Sequence, residues 1–295
     1  MTLKIEHRTI GGGIVGICSL VGKKKLNLLD DEVLAQATIE LRNIVKINEL
    51  RLIILQGKSS YSFSGGVNLN ALRKINHNSA KNFINKLHLF CNMIRELDVP
   101  IIAKLQGFCI GGGLEIAAAC DFRIADYSIK CGMPEVKVGV PSVIEANLLF
   151  GLLGWGKARE LILRGNIIDA EECLRIGLVE HLIDEKHITS FVDEICSEII
   201  SNGPNAIRLQ KQLMLEWEQA MISNSISASM NFFQENFRAK ECSDFVSRFF
   251  DKKNISKAVE RNRVKRLIRE SFRKNKSQIP NLDVVILIRK GIDVL

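Results

Sequence analysis

The chain predicts a mixed α/β fold. Two observations lead there: densely apolar segments of strand length, and glycine-bearing loops that run from such segments into helical patterns. Leu52-Ile53-Ile54-Leu55-Gln56-Gly57 reads as a buried strand. The loop Tyr61-Ser62-Phe63-Ser64-Gly65-Gly66-Val67-Asn68-Leu69 follows it and opens a helical pattern near Asn68. A chain of 295 residues is long enough to bury a substantial core, here one main domain with something small attached.

Gly111-Gly112-Gly113 precedes the alanine-rich run Leu114-Glu115-Ile116-Ala117-Ala118-Ala119-Cys120 and reads as a tight turn opening a helix, with Glu115 one turn inside it. The first N–H groups of such a helix have no partner within it, and its positive end favours developing negative charge. Two readings of the triplet stand: an anion-stabilising helix start with a functional carboxyl, or glycines that permit close packing beside an ordinary one. A second acid, Glu135, follows Met133-Pro134 twenty residues beyond Glu115.

Phe63 to Asn68, Pro100-Ile101-Ile102-Ala103-Lys104-Leu105-Gln106-Gly107, the glycine triplet with Glu115, and Met133-Pro134-Glu135, in this order and spacing, resemble the crotonase (enoyl-CoA hydratase/isomerase) superfamily. The resemblance runs from about Ile14 to Lys252. It implies a spiral of repeated ββα units with C-terminal helices, and an acyl-CoA thioester substrate. The backbone N–H groups of Val67 and Gly112 match the family's oxyanion hole. Gly66, Asn68, Leu69, Gly111 and Gly113 match its substrate-binding loops, and Glu115 and Glu135 its paired carboxyls. Two carboxyls favour hydration of a 2-enoyl-CoA, with one water held between them. A single one at 135 suits isomerisation, and other acyl-CoA lyase chemistry uses the same oxyanion hole. No cofactor is implied, since coenzyme A arrives as part of the substrate. Like charges held close in a partly dry site discourage double ionisation, so the pair is expected to keep one proton near neutral pH.

The chain departs from the family pattern at Asn68, where aspartate is common, and at Gly139-Val140-Pro141-Ser142-Val143-Ile144-Glu145, which replaces a glycine-rich stretch. The helix from Gly151 to Leu163 before Gly165, and the one opened by Asp169 as N-cap, read as supporting structure. Trp155 reads as a core or interface residue, with contact to the acyl chain the alternative. Lys23, Lys24 and Lys25 read as a solvated basic run, with coenzyme A phosphates the alternative partner. The resemblance implies a homotrimer or a dimer of trimers, with the amphipathic stretch from Asn205 to Phe250 as the interface.

The five histidines show no metal-like spacing, so no metal site is expected. The segment from Met1 to Arg8 lacks the apolar core of a signal peptide, and no apolar run is long enough to span a bilayer. Eight cysteines without a Cys-x-x-Cys pair read as reduced, mostly buried thiols. A cytoplasmic enzyme without membrane contact is the expectation.

The net charge of +8 belongs to the C-terminus: residues 252–295 carry 13 Lys/Arg against 4 Asp/Glu, whereas residues 1–251 carry 28 against 29. The boundary is expected at 251/252. Val264, Leu267, Ile268 and Phe272 form an apolar stripe, while Arg261, Lys265, Arg269 and Arg273 recur every fourth residue. The run from Ala258 to Arg273, with Arg261-Asn262-Arg263, and the strand from Asp283 to Gly291 resemble the basic helix and following strand of the bacterial ribonuclease P protein component. That resemblance implies RNA contact in tRNA 5′ processing through Arg261, Asn262, Arg263, Lys265, Arg266 and Arg269, weakening steeply with salt. The chain therefore reads as a fusion. The tail alone is a helix-strand fragment of an α/β domain, too small to bury an independent core.

Overall fold

A computed structural model describes residues 2–222 without interruption, and short stretches and single residues between 230 and 270. The chain forms two compact units, Met1–Val246 and Ser247–Leu295. Within the second unit the described residues include Arg266, helical and exposed. Arg261, Asn262, Arg263, Lys265 and Arg269 lie outside the described residues, as do most residues of the expected interface stretch beyond 222.

The first unit opens with a hairpin, β1 (Leu3–Ile10) and β2 (Gly13–Leu20), closed by Gly11 and Gly12. Both glycines have positive φ, as a two-residue hairpin turn requires. From β2 the large sheet continues in parallel through β3 (Leu50–Gly57), β5 (Ile101–Leu105), β7 (Phe122–Asp126) and β10 (His181–Ile183). Leu52, Ile53, Ile54 and Leu55 are all buried, because a parallel strand covered on both faces has no solvent side on which to alternate. On one face, α7 (Ile188–Ser201) lays Ile188, Val192, Cys196 and Ile200, spaced at four residues, against Val15, Leu52, Ile54, Ile102 and Ile124.

A second, smaller sheet orders the active end. Three strands of the large sheet are each followed closely by a short strand of the other: β3 by β4 (Ser62–Ser64), β5 by β6 (Phe108–Ile110), β7 by β8 (Lys130–Gly132). β4, β6 and β8 are parallel neighbours, and β9 (Ile167–Ile168) closes the edge antiparallel to β8. After β4 come α2 (Leu69–Leu72) and α3 (His77–Glu96), and after β6 comes α4 (Gly112–Ala119). This is the repeated ββα spiral that the resemblance implies. Stacking β4, β6 and β8 side by side brings the residues after each strand, 65–68, 111–115 and 133–135, to one end of the small sheet.

The supporting elements agree with their sequence signals. α1 (Asp31–Ile44) starts at Asp30, whose carboxylate accepts from Val33 N at 3.2 Å, and packs on α3. α5 (Leu148–Arg164) ends at Gly165, which has φ +57°, and α6 (Ala170–Arg175) starts at Asp169, which accepts from Glu172 N. α8 runs Pro204–Ile222. Trp155 is 64% exposed, which excludes the core reading; its ring lies tilted against that of Phe150, with centroids 4.5 Å apart. Seven cysteines are buried free thiols, while Cys242 lies outside the described residues. No described helix is long and apolar enough to cross a membrane.

Candidate active site

Residues 65–68 are held by residues 26–29 lying against them. Leu29 N donates to Gly66 O at 2.9 Å, Asn68 N to Leu29 O at 2.7 Å and Gly65 N to Leu26 O at 2.7 Å. Asn27, only 3% exposed, fixes that support by donating Nδ2 to Leu20 O and to Phe63 O, at 2.8 and 2.6 Å. Ser64 Oγ donates to Asn27 O and accepts from Gly66 N. Gly66 has φ +77°, and a Cβ there would collide with Ile110 O, so the loop lies directly on the end of β6.

That approach sets Val67 beside the start of α4. A Cβ on Gly112 would sit 3.5 Å from Val67 Cγ2, and one on Gly66 would sit 3.5 Å from Gly112 N. Among the described residues, neither the Val67 N–H nor the Gly112 N–H donates to a protein acceptor. Gly111 (φ +55°) closes the turn by donating to Gly132 O and accepting from Leu114 N and Glu115 N. Gly113 packs against Ser64. Leu69 opens α2, and Asn68 caps it by accepting from Asn70 N at 3.1 Å.

Glu115 is 4% exposed, and its Oε1 accepts from Ala146 N at 2.9 Å. Burial pushes its proton affinity well above the ordinary carboxyl value, with the charges of Glu135 and then Glu145 adding to it; the Ala146 N–H opposes the shift. Glu135 belongs to the 3-10 turn Pro134–Val138 and is partly buried. Its Oε1 occupies the place a Cβ on Gly111 would take, and Ser142 Oγ donates to its Oε2 at 3.1 Å. Burial raises its pKa to about 7, against the pull of the Ser142 hydroxyl. Two carboxyls with raised proton affinity thus flank a pair of free N–H groups, an arrangement suited to polarising a carbonyl and moving protons beside it.

The glycine triplet does permit close packing, and what packs against Gly111 is Glu135. Lys23 pairs with Asp30 at 2.7 Å and Glu32 at 3.3 Å, while Lys25 Nζ lies 3.8 Å above the Tyr61 ring. A cavity of about 220 Å³ bordered by Arg8, Gln56, Lys104 and Thr189 contains none of the site residues.

The enoyl-CoA hydratase/isomerase family model matches residues 11–257. The chain belongs to this family. It is 31% identical over 244 residues to the short-chain-enoyl-CoA hydratase of Clostridium acetobutylicum, an alignment covering 82% of this chain and 94% of that one. It is 29% identical over 234 residues to the crotonyl-CoA hydratase of Syntrophomonas wolfei, covering 79% and 90%. Among solved structures, an enoyl-CoA hydratase from Bacillus anthracis superposes with a TM-score of 0.68 at 27% identity, covering 85% of this chain and 97% of that one. A Ribonuclease P family model matches residues 233–295. The two matches overlap over 233–257, so the second reaches upstream of the junction expected at 251/252.

Several residues of this crotonase-fold site lacked a clear signal in the sequence. Asn27 and Ser64 are ordinary polar residues until the loop closes over them. Ser142 lies in the stretch that departs from the family pattern and Ala146 just after it; Glu145, the last residue of that stretch, is fully buried, with Oε1 accepting from His88 Nδ1 at 2.7 Å. The available signal was an acid inside the apolar run Val143-Ile144-Glu145-Ala146. Ile144, β-branched, adopts φ +44°, a strained conformation for such a residue.

Proposed function

We propose that the chain is an enoyl-CoA hydratase adding water across the double bond of a 2-enoyl-CoA thioester. The observation that carries this reading is the convergence of Glu115 and Glu135 beside the unpartnered N–H groups of Val67 and Gly112. The thioester oxygen accepts from both N–H groups, which makes the β-carbon electrophilic and stabilises the enolate that follows attack. Each such donor is worth about 3 kcal/mol of barrier. One carboxyl takes a proton from water as its oxygen attacks the β-carbon, and the other delivers a proton to the α-carbon. Gly66, Asn68, Leu69, Gly111 and Gly113 shape the substrate loops by their backbone. Coenzyme A enters as part of the substrate, and no separate cofactor takes part.

Loss of enoyl-thioester absorbance with crotonyl-CoA tests the reading. Turnover by the wild-type chain, lost in Glu115→Gln and in Glu135→Gln, supports it. Turnover surviving Glu115→Gln but not Glu135→Gln points instead to single-carboxyl isomerase chemistry.

A second reading concerns the tail, favoured by the Ribonuclease P match over 233–295. Residues 252–295 form a separate segment that contacts structured RNA through Arg261, Asn262, Arg263, Lys265, Arg266 and Arg269. Affinity for such RNA that falls steeply with salt and disappears on removing 252–295 supports this; equal binding by both chains rejects it. The enzyme unit assembles as a homotrimer or hexamer, which light scattering of the purified chain checks directly.

A further inference from the structure

Glu145 is a buried carboxyl near the site that the hydration chemistry does not use. It sits in the 3-10 turn Ile144–Asn147, completely buried, with one oxygen on His88 and the other, Oε2, without a hydrogen-bond partner. A buried carboxylate left half-satisfied costs stability, so such groups mark places where charge has a use. The next residue of the same turn, Ala146, donates its N–H to Glu115. His88 is half-buried on α3, so the pair bridges the solvent-facing side of that helix and the interior beside Glu115.

We propose that the His88–Glu145 pair is a positioning device for Glu115: it fixes the strained turn whose Ala146 N–H holds Glu115, and it sets a further carboxyl close enough to act on Glu115. The role assigned to Glu115 rests on the hydratase reading. Among the described residues, the titratable groups facing Glu145 come from three elements. α3 offers His88, Cys91 and Arg95, of which Arg95 is engaged with Glu218 at 2.8 Å. α4 offers Glu115, and Glu135 acts on Glu115 from its own turn. On α5, which also packs on the turn, Lys157 and Arg164 pair with Glu160, and Arg159 lies over Trp155. Glu145 therefore adds its negative charge to that of Glu135 in acting on Glu115, and His88 is the partner that opposes the cost of burying it.

Two near-isosteric variants, Glu145→Gln and His88→Gln, test this in the full chain. The pH dependence of crotonyl-CoA hydration is measured together with the pH dependence of acetoacetyl-CoA binding, followed by the absorbance of its enolate. Removing the charge of Glu145 lets Glu115 release its proton more readily, so the alkaline limb of both profiles moves to lower pH, by about one unit. kcat falls at least ~10-fold while KM stays within ~2-fold, because the change falls on proton transfer rather than on thioester binding. In His88→Gln the stranded Glu145 carboxyl holds its own proton instead, and the limb moves the same way. Folded variants whose profiles superimpose on wild type overturn the proposal, as does a loss confined to KM. Failure of both variants to fold also overturns it, reducing the pair to a determinant of the fold. If the wild-type chain does not hydrate crotonyl-CoA, the hydratase reading fails by itself, and the acetoacetyl-CoA profiles still decide the role of the pair.

Discussion

Glu135 places a carboxylate oxygen in the space that a side chain on Gly111 would occupy. The helix start that offers the Gly112 N–H and the side chain of the second acid are therefore packed against each other, with no room for a side chain at 111. Gly111 also has φ +55°, which disfavours any larger residue. Gly111→Ala is expected to displace Glu135 and lower crotonyl-CoA hydration ~100-fold or more, with a smaller effect on the melting temperature. Steady-state kinetics beside a thermal melt checks this; full activity would mean that the contact has no catalytic consequence.

Replacing either acid by its amide keeps shape and removes proton transfer. Glu115→Gln and Glu135→Gln are each expected to reduce kcat by ~10²–10⁴. The double variant should be little worse than the slower single one, since the two act on one water. Multiplicative losses in the double variant would show that the two carboxyls act independently.

The raised proton affinities give pH dependence a definite sign. Activity needs one proton on the pair, so hydration should rise as pH increases through about 7, where Glu135 loses its proton. It should fall again once Glu115, whose proton affinity burial also raises, has ionised as well. A rate already flat between pH 5 and 8 would contradict this.

Stability follows the same groups in the opposite sense. Glu135 binds its proton more tightly folded than unfolded, its pKa moving from 4.5 to about 7, so its favourable contribution is complete below about 4.5 and is lost as pH rises through 7. Glu115 shifts in the same direction. The melting temperature should decline from pH 5 to pH 8, by the equivalent of ~2 kcal/mol from Glu135, and the decline should be shallower in Glu135→Gln. Differential scanning calorimetry across that range measures both.

Arg123 on β7 is 1% exposed and donates to Leu178 O at 3.1 Å and Cys120 O at 3.3 Å, while pairing with Glu180. It fastens the segment before β10 to the sheet. Arg123→Ala should destabilise the fold by ~3 kcal/mol, because buried carbonyl oxygens lose their donor. Urea unfolding with an unchanged midpoint would rule this out.

Local pattern made much of the molecule legible. Leu52 to Leu55 read as a buried strand and the run from Gly111 to Ala119 as a helix start, and both form, because strand burial and helix nucleation depend largely on neighbouring residues. Glu115 and Glu135 were legible as a pair through their spacing and the motifs around them. The pairing of His88 with Glu145 was not: they stand 57 residues apart, and although an acid inside the apolar run from Val143 to Ala146 is a local signal, nothing local names its partner.

The sequence by itself determined the α/β class, the helix starts at Asp169 and after Gly111, and the change of composition near residue 252, and it offered Glu115 and Glu135 as candidates. Only the tertiary structure decided that Gly111 makes room for Glu135, that Asn27 braces the Val67 loop, and that Ala146 and Glu145 meet Glu115 from behind. The physical reason is one of range. Propensity, capping and hydrophobic period act between residues a few positions apart, whereas hydrogen bonds, close approach and shared burial act wherever folding brings groups together. The proton affinity of Glu115 depends on that second kind of neighbour.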